Sequence, residues 1–133
     1  MIVNDKGNLE INYGPYKIDE LGNVSRDGKL LKPYVAVSRS GKEYLKVDLS
    51  INGNKEKWYV HRLVIYVFFK AIFGEVPKEV FREWEVDHDD RNTRNNKLWN
   101  LSACSPSNNQ RHWRGMEIKE FWTEDEIALI ESA

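Results

Sequence analysis

The chain has 133 residues, of which 41% are hydrophobic and 31% charged, and its formal net charge is −1. These values suit one soluble globular domain, or one domain with a small appendage. The longest apolar run, LVIYVFF at 63–69, is too short to cross a bilayer. A single cysteine, Cys104, excludes an internal disulfide and any zinc site that needs two thiolates.

The start of the chain and its charge distribution bear on location and partners. Neither a basic segment nor an apolar core follows Met1, so we expect no secretory signal, no membrane partner and a reducing, cytoplasmic location. Residues 115–133 hold six acidic residues against one lysine, which leaves the preceding residues with a net positive charge. This mild basicity permits contacts with phosphate groups without demonstrating them.

Residues 15–60 have the pattern of short strands separated by turns that contain Gly and Asn. Polar and apolar residues alternate over 44–51, which predicts a half-buried strand. The pair Asn52 and Gly53 that follows is typical of a tight hairpin turn. We therefore expect a small antiparallel sheet in this N-terminal region.

The next elements are predicted from an apolar run and from capping signals. HRLVIYVFFKAIF at 61–73 ends at Gly74, and its length favours a buried helix, although VIYVFF would also fit a strand. Short strands are expected at 86–88 and at LWNLS, 98–102. Ser105 as a cap and Pro106 at the first helical position predict a helix that ends at Gly115.

The C-terminal segment, 116–133, has the pattern of an acidic amphipathic helix. Thr123 and Glu126 form a capping box, and the apolar residues Ile127, Leu129 and Ile130 follow it. One such helix cannot bury its apolar face alone, so it must dock on the body or on a partner.

The stretch VDHDDRNTRNNKLWNL at 86–101 is difficult to explain by folding alone. It sets three carboxylates around His88 and then runs through a series of asparagines, a poor residue for the interiors of helices and strands. Two short strands joined by a loop and followed by a helix would bring Asp87, His88, Asn100 and Asn109 to one place.

This spacing resembles the HNH endonuclease family in its ββα-metal form, as in phage-encoded and intron-encoded homing endonucleases. The family pattern is V-x-H-x-D-G-x-x-x-N-N-x-x-x-N-L, followed by a helix with E-N-x-x-H, and VHRLVIYVFF at 60–69 resembles the helix that precedes it. Two positions differ from this pattern: Arg91 stands where the family usually has Gly, and Asn108 where it often has Glu. The third letter of the family name is supplied by Asn109 instead of His, as in an HNN variant.

The resemblance, which covers roughly residues 60–113, implies a fold and an activity. The expected fold class is α+β, with an N-terminal β module at 1–59, an HNH ββα-metal core at 60–115 and the C-terminal helix at 116–133. The implied activity is metal-dependent hydrolysis of double-stranded DNA, one strand per active site, by a phage- or bacterium-encoded protein in the host cytoplasm. The oligomeric state, monomer or homodimer, is left open.

Site roles follow from the family motif and from residue chemistry. A neutral imidazole can take a proton from water near neutral pH, which makes His88 the expected general base. Asp87 and Asn109 offer hard oxygen ligands, which suit Mg²⁺ or Mn²⁺ better than Zn²⁺. By resemblance, Asn100 ties the loop together or orients the His88 ring. His112, three residues after Asn109 on the expected helix, is a further candidate ligand or phosphate contact.

One requirement on the fold can be stated in advance. Adjacent residues of a regular strand point to opposite faces, so Asp87 and His88 can converge only if the strand ends or bulges there. Asn95 and Asn96 are expected to hold the loop rather than touch substrate, and His61 to be a packing side chain.

The resemblance also implies contacts between basic side chains and DNA. The expected residues lie in the motif, in the following helix and in the N-terminal strands: Arg91, Arg94, Lys97, Arg111, Arg114, Arg26, Lys29 and Lys46. Two rival hypotheses remain, a non-catalytic DNA-binding protein that keeps the scaffold and a protein-binding module that acts through the acidic tail. A calcium-binding loop is disfavoured, because positions 92 and 98 hold Asn and Leu where such a loop needs Gly and Glu.

Overall fold

A computed structural model describes residues 2–106 and 112–120, and it confirms the α+β class. Within those residues, no helix is long and apolar enough to cross a bilayer. The elements are β1 (Ile2–Val3), β2 (Leu9–Tyr13), β3 (Tyr16–Asp19), β4 (Val24–Arg26), β5 (Lys29–Leu30), β6 (Tyr34–Val37), β7 (Glu43–Ile51), β8 (Asn54–Tyr59), α1 (Val60–Phe73), α2 (Lys78–Phe81), β9 (Glu85–His88), a 3₁₀-helix (Leu98–Asn100), β10 (Leu101–Cys104), β11 (His112–Arg114) and α3 (Gly115–Glu120).

The N-terminal region forms two antiparallel sheets, where the sequence suggested one. Strands β1 to β5 follow one another in a five-stranded meander, and β6, β7 and β8 form a separate three-stranded sheet. The break falls at residues 31–33, where Pro33 has no N–H to donate to a strand ladder. The predicted hairpin is confirmed, because Ile51 pairs with Asn54 across a turn in which Asn52 and Gly53 have φ angles of 52° and 79°.

Helix α1 is the centre of the molecule, which confirms the helical interpretation of the apolar run. Nine of its residues are buried, and it contacts strands of both N-terminal sheets as well as β9 and β10. One hydrophobic cluster extends from Leu9 to Ala103, so residues 1–59 and 60–106 share a core. The Arg62 guanidinium ties this helix to the start of β9, donating to the carbonyl oxygens of Trp84 at 2.7 Å and Phe81 at 2.9 Å.

Strands β9, β10 and β11 form a third antiparallel sheet in the order β11-β10-β9. Leu101 pairs with His88 and Ser102 with Asp87. The strand predicted at 98–102 begins only at Leu101, because residues 98–100 form a 3₁₀ turn closed by the Asn100 N–H and the Lys97 carbonyl oxygen.

The prediction of a helix from Ser105 to Gly115 is wrong for residues 112–115, the described C-terminal part of that range. Residues 112–114 form β11, in which Trp113 stacks on Trp84 with ring centroids 4.7 Å apart and an interplanar angle of 9°. This packing outweighs the local capping signals. Gly115 begins α3 instead of ending a helix, and a Cβ there would collide with the Leu98 carbonyl oxygen. Residues 107–111 and the predicted Thr123–Glu126 capping box lie outside the described residues.

Candidate active site

Asp87 and His88 reach the same cleft, which has a volume of about 820 Å³. They lie on opposite faces of β9, with Asp87 exposed and His88 only 8% exposed. The strand ends at His88, and the Arg91 N–H donates to the His88 carbonyl oxygen at 3.0 Å to close a turn. The requirement that the strand end here is therefore met. The cleft is lined by Lys42, Glu43, Tyr44, Val86, Asp87, His88, Asp89, Arg91 and Thr93.

The His88 ring is held by a hydrogen bond at one of its nitrogens. Its Nε2 lies 2.7 Å from the Asn96 side-chain oxygen, and both residues are buried. An amide oxygen can only accept, so Nε2 carries the proton. A neutral imidazole with a proton on Nε2 has its lone pair on Nδ1. The contact thus selects the tautomer in which Nδ1 is the basic atom.

Two further rings pack on His88 from different elements. The centroid of the His61 ring, from α1, lies 4.7 Å from that of His88, and Tyr44, from β7, stacks on both at 5.2 Å and 6.1 Å. Burial, with smaller electrostatic contributions from the neighbouring His88 and Arg62, lowers the pKa of His61 to about 3. At neutral pH His61 is therefore an uncharged packing ring behind His88.

The loop between β9 and β10 is organised around Asp90 and Asn100. The Asn100 side chain accepts from the Asp90 N–H at 3.1 Å and donates to the Asp90 carboxylate at 2.9 Å and to the Asn95 carbonyl oxygen at 2.8 Å. Hydrogen bonds from the Asn95 and Asn100 side chains and from the Asn92 N–H hold the pKa of Asp90 below its usual range. These contacts fix the path of the chain from the end of β9 to the start of β10.

The partner of His88 is one that the sequence did not identify. The Asn100 side chain forms its hydrogen bonds with the loop, whereas Asn96 contacts the His88 ring. The motif contains both Asn95 and Asn96, but nothing in its spacing distinguishes them. Tyr44 lies 44 positions before His88, in an alternating strand pattern without any functional signal.

The turn after β3 supports the segment that carries Asn96. The Glu20 carbonyl oxygen accepts from the Leu98 N–H at 2.8 Å. Gly22, with φ of +87°, lies so close that a Cβ there would be 2.7 Å from the Asn96 carbonyl oxygen. The five-stranded sheet is thus in direct contact with the loop that holds the His88 ring.

The described basic residues predicted around the motif are exposed but differ in their contacts; they are Arg91, Arg94, Lys97 and Arg114. Arg91 lines the cleft. Arg94 forms an ion pair with Glu43 at 3.6 Å, and the Lys97 ammonium lies over the Trp99 ring. Arg114 on β11 pairs with Ser102 on β10, which in turn pairs with Asp87 on β9, so the three residues lie in one row across the sheet.

The remaining predicted residues are more distant or lie outside the described part. Lys46 lies over the Tyr59 ring at 4.8 Å, on the same face of β7 as Tyr44. Arg26 and Lys29 lie opposite each other on β4 and β5 of the five-stranded sheet, and they do not line the cleft. His112 is exposed on β11, with its Nε2 3.9 Å from Cys104 Sγ, so the helix-face argument for it is wrong. Asn109 and Arg111 lie outside the described residues.

The donor set for a metal ion is only partly described. Among the described residues, no group of three or more His, Cys, Asp or Glu side chains could hold a metal ion. Magnesium needs less, because it is often bound through one or two carboxylates together with water and substrate phosphates. The exposed Asp87 carboxylate in the cleft fits such a ligand, whereas the neighbouring Asp89 carboxylate accepts from the Ser102 hydroxyl at 2.6 Å.

The cleft combines the His88 imidazole, held in its Nε2–H form, with the exposed Asp87 carboxylate. Lys42 and Arg91 add positive charge to its lining. This combination is typical of a hydrolytic site for an anionic substrate. Residues 59–111 match the family model described as HNH endonuclease. The chain is also 32% identical over 98 residues to the H-N-H endonuclease F-TflI of Escherichia phage T5, an alignment that covers 72% of this chain. The segment that carries the motif is therefore similar to HNH endonucleases, as the sequence predicted.

The two relatives are both longer than this chain. The alignment covers 45% of the phage protein, so the chain spans less than half of that relative. A solved structure described as "DNA binding and cleavage by the HNH homing endonuclease I-HmuI" is 23% identical, with a TM-score of 0.45. That comparison covers 90% of this chain and 59% of the solved one.

Proposed function

We propose that the protein is a metal-dependent DNA endonuclease that hydrolyses phosphodiester bonds in double-stranded DNA, with His88 as its general base. The observation that carries this proposal is the contact between His88 Nε2 and Asn96 Oδ1, which leaves Nδ1 as the basic ring atom of a residue that lines the cleft together with Asp87. One site per chain nicks one strand per visit. A double-strand break then requires a homodimer or a second visit by a monomer.

His88 takes the proton of the attacking water at Nδ1. The imidazolium that results keeps its Nε2–H bond to Asn96, so the ring need not move during proton transfer. His61 and Tyr44 pack against the ring and limit its rotation. This arrangement is favourable because a base already oriented toward its target requires no reorganisation during the reaction.

Asp87 and Asn109 are the proposed ligands of Mg²⁺ or Mn²⁺. When bound, the ion would supply positive charge that stabilises the phosphate and the leaving oxygen. The Asp87 carboxylate is exposed to the cleft and can act as a ligand without uncovering the core. Asn100 has a positioning role in this scheme, because its hydrogen bonds to the loop keep Asn96 within reach of His88.

Basic side chains around the cleft are the proposed contacts to the DNA backbone. Arg114 lies in the same row as Asp87, and His112 lies two residues before it on β11 as an outer phosphate contact. Lys46 continues the surface along β7 from Tyr44. Outer contacts are proposed for Arg94, Lys97, Arg111, Arg26 and Lys29.

The test is the cleavage of supercoiled plasmid by purified protein with Mg²⁺, Mn²⁺ or a chelator, beside His88→Ala prepared in parallel. We expect metal-dependent conversion to open circles, reduced by at least about 100-fold in His88→Ala. A circular dichroism spectrum and a gel shift should show that the variant still folds and binds DNA. Retention of more than a few per cent of the cleavage in His88→Ala would contradict the assignment of the base.

The same cleavage and gel-shift measurements test the rival hypothesis, a DNA-binding protein without catalysis. Salt-dependent binding of DNA without cleavage in any divalent metal would support it. Linear product would indicate two coordinated sites and therefore a dimer.

A further inference from the structure

Arg91 has a backbone conformation that its side chain disfavours. Its φ angle is 63°, in the left-handed region. Among the described residues, two other non-glycine residues have a φ in this region, Asp27 at 53° and Asn52 at 52°. Both of these precede a glycine in a hairpin turn. Asp and Asn tolerate this region because their short polar side chains bond locally, whereas a long arginine has no such compensation.

The loop imposes this conformation on position 91. The Arg91 N–H closes the turn onto the His88 carbonyl oxygen, and the next N–H, from Asn92, donates to the Asp90 carboxylate at 2.8 Å. Together these bonds place Asp90 where it forms hydrogen bonds with the Asn100 side chain. Glycine would adopt the same φ without steric cost, and the family pattern usually has glycine here. An arginine at this position therefore goes against local preference, a situation that is concentrated at functional sites.

The Arg91 side chain is exposed and lines the cleft together with Asp87 and His88. Within the described part of the chain its guanidinium forms no ion pair, in contrast to Arg94, which pairs with Glu43. Two carboxylates, from Asp87 and Asp89, also line the cleft and would repel a phosphate group. A guanidinium is the side chain best suited to bind phosphate, because its fork of donors matches two oxygens at once.

We propose that Arg91 binds a DNA phosphate in the cleft beside Asp87 and His88, and that this contact accounts for an arginine at a position where the backbone favours glycine. The proposal rests on the proposed function for its substrate. It implies that stability and activity respond in opposite directions when the side chain is removed, because the strain and the phosphate contact are lost together.

The test compares wild type with Arg91→Gly, Arg91→Lys and the matched control Asp27→Gly, which removes a left-handed side chain outside the cleft lining. We expect the urea midpoint to rise in Arg91→Gly, because strain is relieved, and not to rise in Asp27→Gly, because aspartate tolerates this φ. In Arg91→Gly alone, single-turnover cleavage should fall about tenfold, and the slope of log K against log salt should decrease by about one. Arg91→Lys should keep the wild-type slope, because it keeps the charge, and should show no rise in the midpoint.

Cleavage and salt dependence of Arg91→Gly equal to those of wild type would overturn the proposal, and so would a lower urea midpoint in that variant. The outcome is separable from that of the proposed function. If wild type binds DNA but cleaves none, the reduced slope in Arg91→Gly still supports the phosphate contact. If wild type does not bind DNA at all, both proposals fail.

Discussion

Two sets of polar side chains lie near His88 and are used differently: the loop side chains of Asp90, Asn95, Asn96 and Asn100, and the cleft wall formed by Lys42, Tyr44 and Arg91. In the loop, side chains bond back to the chain: Asp90 to Asn92, Asn95 and Asn100, and Asn96 to His88. In the wall, neither Lys42 nor Arg91 forms an ion pair within the described residues, although both line an open cleft.

The difference separates two kinds of polar residue at one site. Groups whose hydrogen bonds are satisfied internally fix the position of the His88 ring, and their loss should reduce both stability and cleavage. Charged groups that face the cleft contribute little to the fold, and their loss should reduce DNA binding or cleavage without unfolding the protein. Four predictions test this separation, from the largest expected effect to the smallest.

Asn100→Ala should lower the free energy of unfolding by about 3 kcal/mol, because it removes three hydrogen bonds, including those that satisfy the Asp90 N–H and the Asn95 carbonyl oxygen. Cleavage should be abolished as well. Urea denaturation measures the first effect and plasmid nicking the second. Asn95→Ala, which removes one exposed bond to Asp90, is the control and should cost about 1 kcal/mol or less. A stable Asn100→Ala protein would show that the loop does not depend on this side chain.

Gly22→Ala should destabilise the protein by about 2 kcal/mol, because it combines a left-handed φ with a close approach to the Asn96 carbonyl oxygen. Displacing Asn96 should also slow cleavage. Gly7→Ala is a matched control, since Gly7 has φ of +80° but no atom within 4 Å of an added Cβ. It should lose only the backbone contribution of about 1 kcal/mol and keep its activity. Equal effects of the two substitutions would mean that the turn after β3 does not support the site.

The buried His61 should make the fold sensitive to mild acid. Its pKa is about 3 in the folded protein and about 6.5 when unfolded, so the unfolded chain binds a proton that the folded chain does not. Stability is therefore complete above about pH 6.5 and falls as the pH decreases toward 3, by about 1.4 kcal/mol between pH 7.5 and 5.5. Urea midpoints across this range measure it. His61→Phe should remove this part of the pH dependence; an unchanged slope would assign it to other groups.

Tyr44→Leu should slow cleavage about fivefold, near 1 kcal/mol, because the His88 ring loses the aromatic neighbour that stacks on it. Tyr44→Phe keeps the ring and should retain the wild-type rate. The dissociation constant for DNA should be the same in both variants, which separates orientation of the base from binding. A slow Tyr44→Phe enzyme would instead indicate that the hydroxyl group has its own role.

The parts of the fold that were predictable from the sequence are those that local pattern determines. Alternation over 44–51, the Asn52–Gly53 turn and the long apolar run predicted β7, its hairpin and α1. The strand at 112–114 was not predictable, because Ser105 and Pro106 signal a helix locally, whereas the packing of Trp113 on Trp84 is a tertiary contact. The same holds in the site: the motif identified Asp87 and His88, but Asn96 and Tyr44 reach His88 only through the folded chain.

The most direct test of the account is the tautomer of His88, because the proposed mechanism depends on a held Nε2–H and a basic Nδ1. A long-range ¹H–¹⁵N correlation spectrum of protein labelled at its histidines, recorded at about pH 8 and assigned with His61→Phe and His112→Ala, distinguishes the two neutral forms. The account predicts that His88 is protonated at Nε2, and that Asn96→Ala shifts the population away from that form. A His88 ring protonated at Nδ1 in the wild-type protein would contradict it.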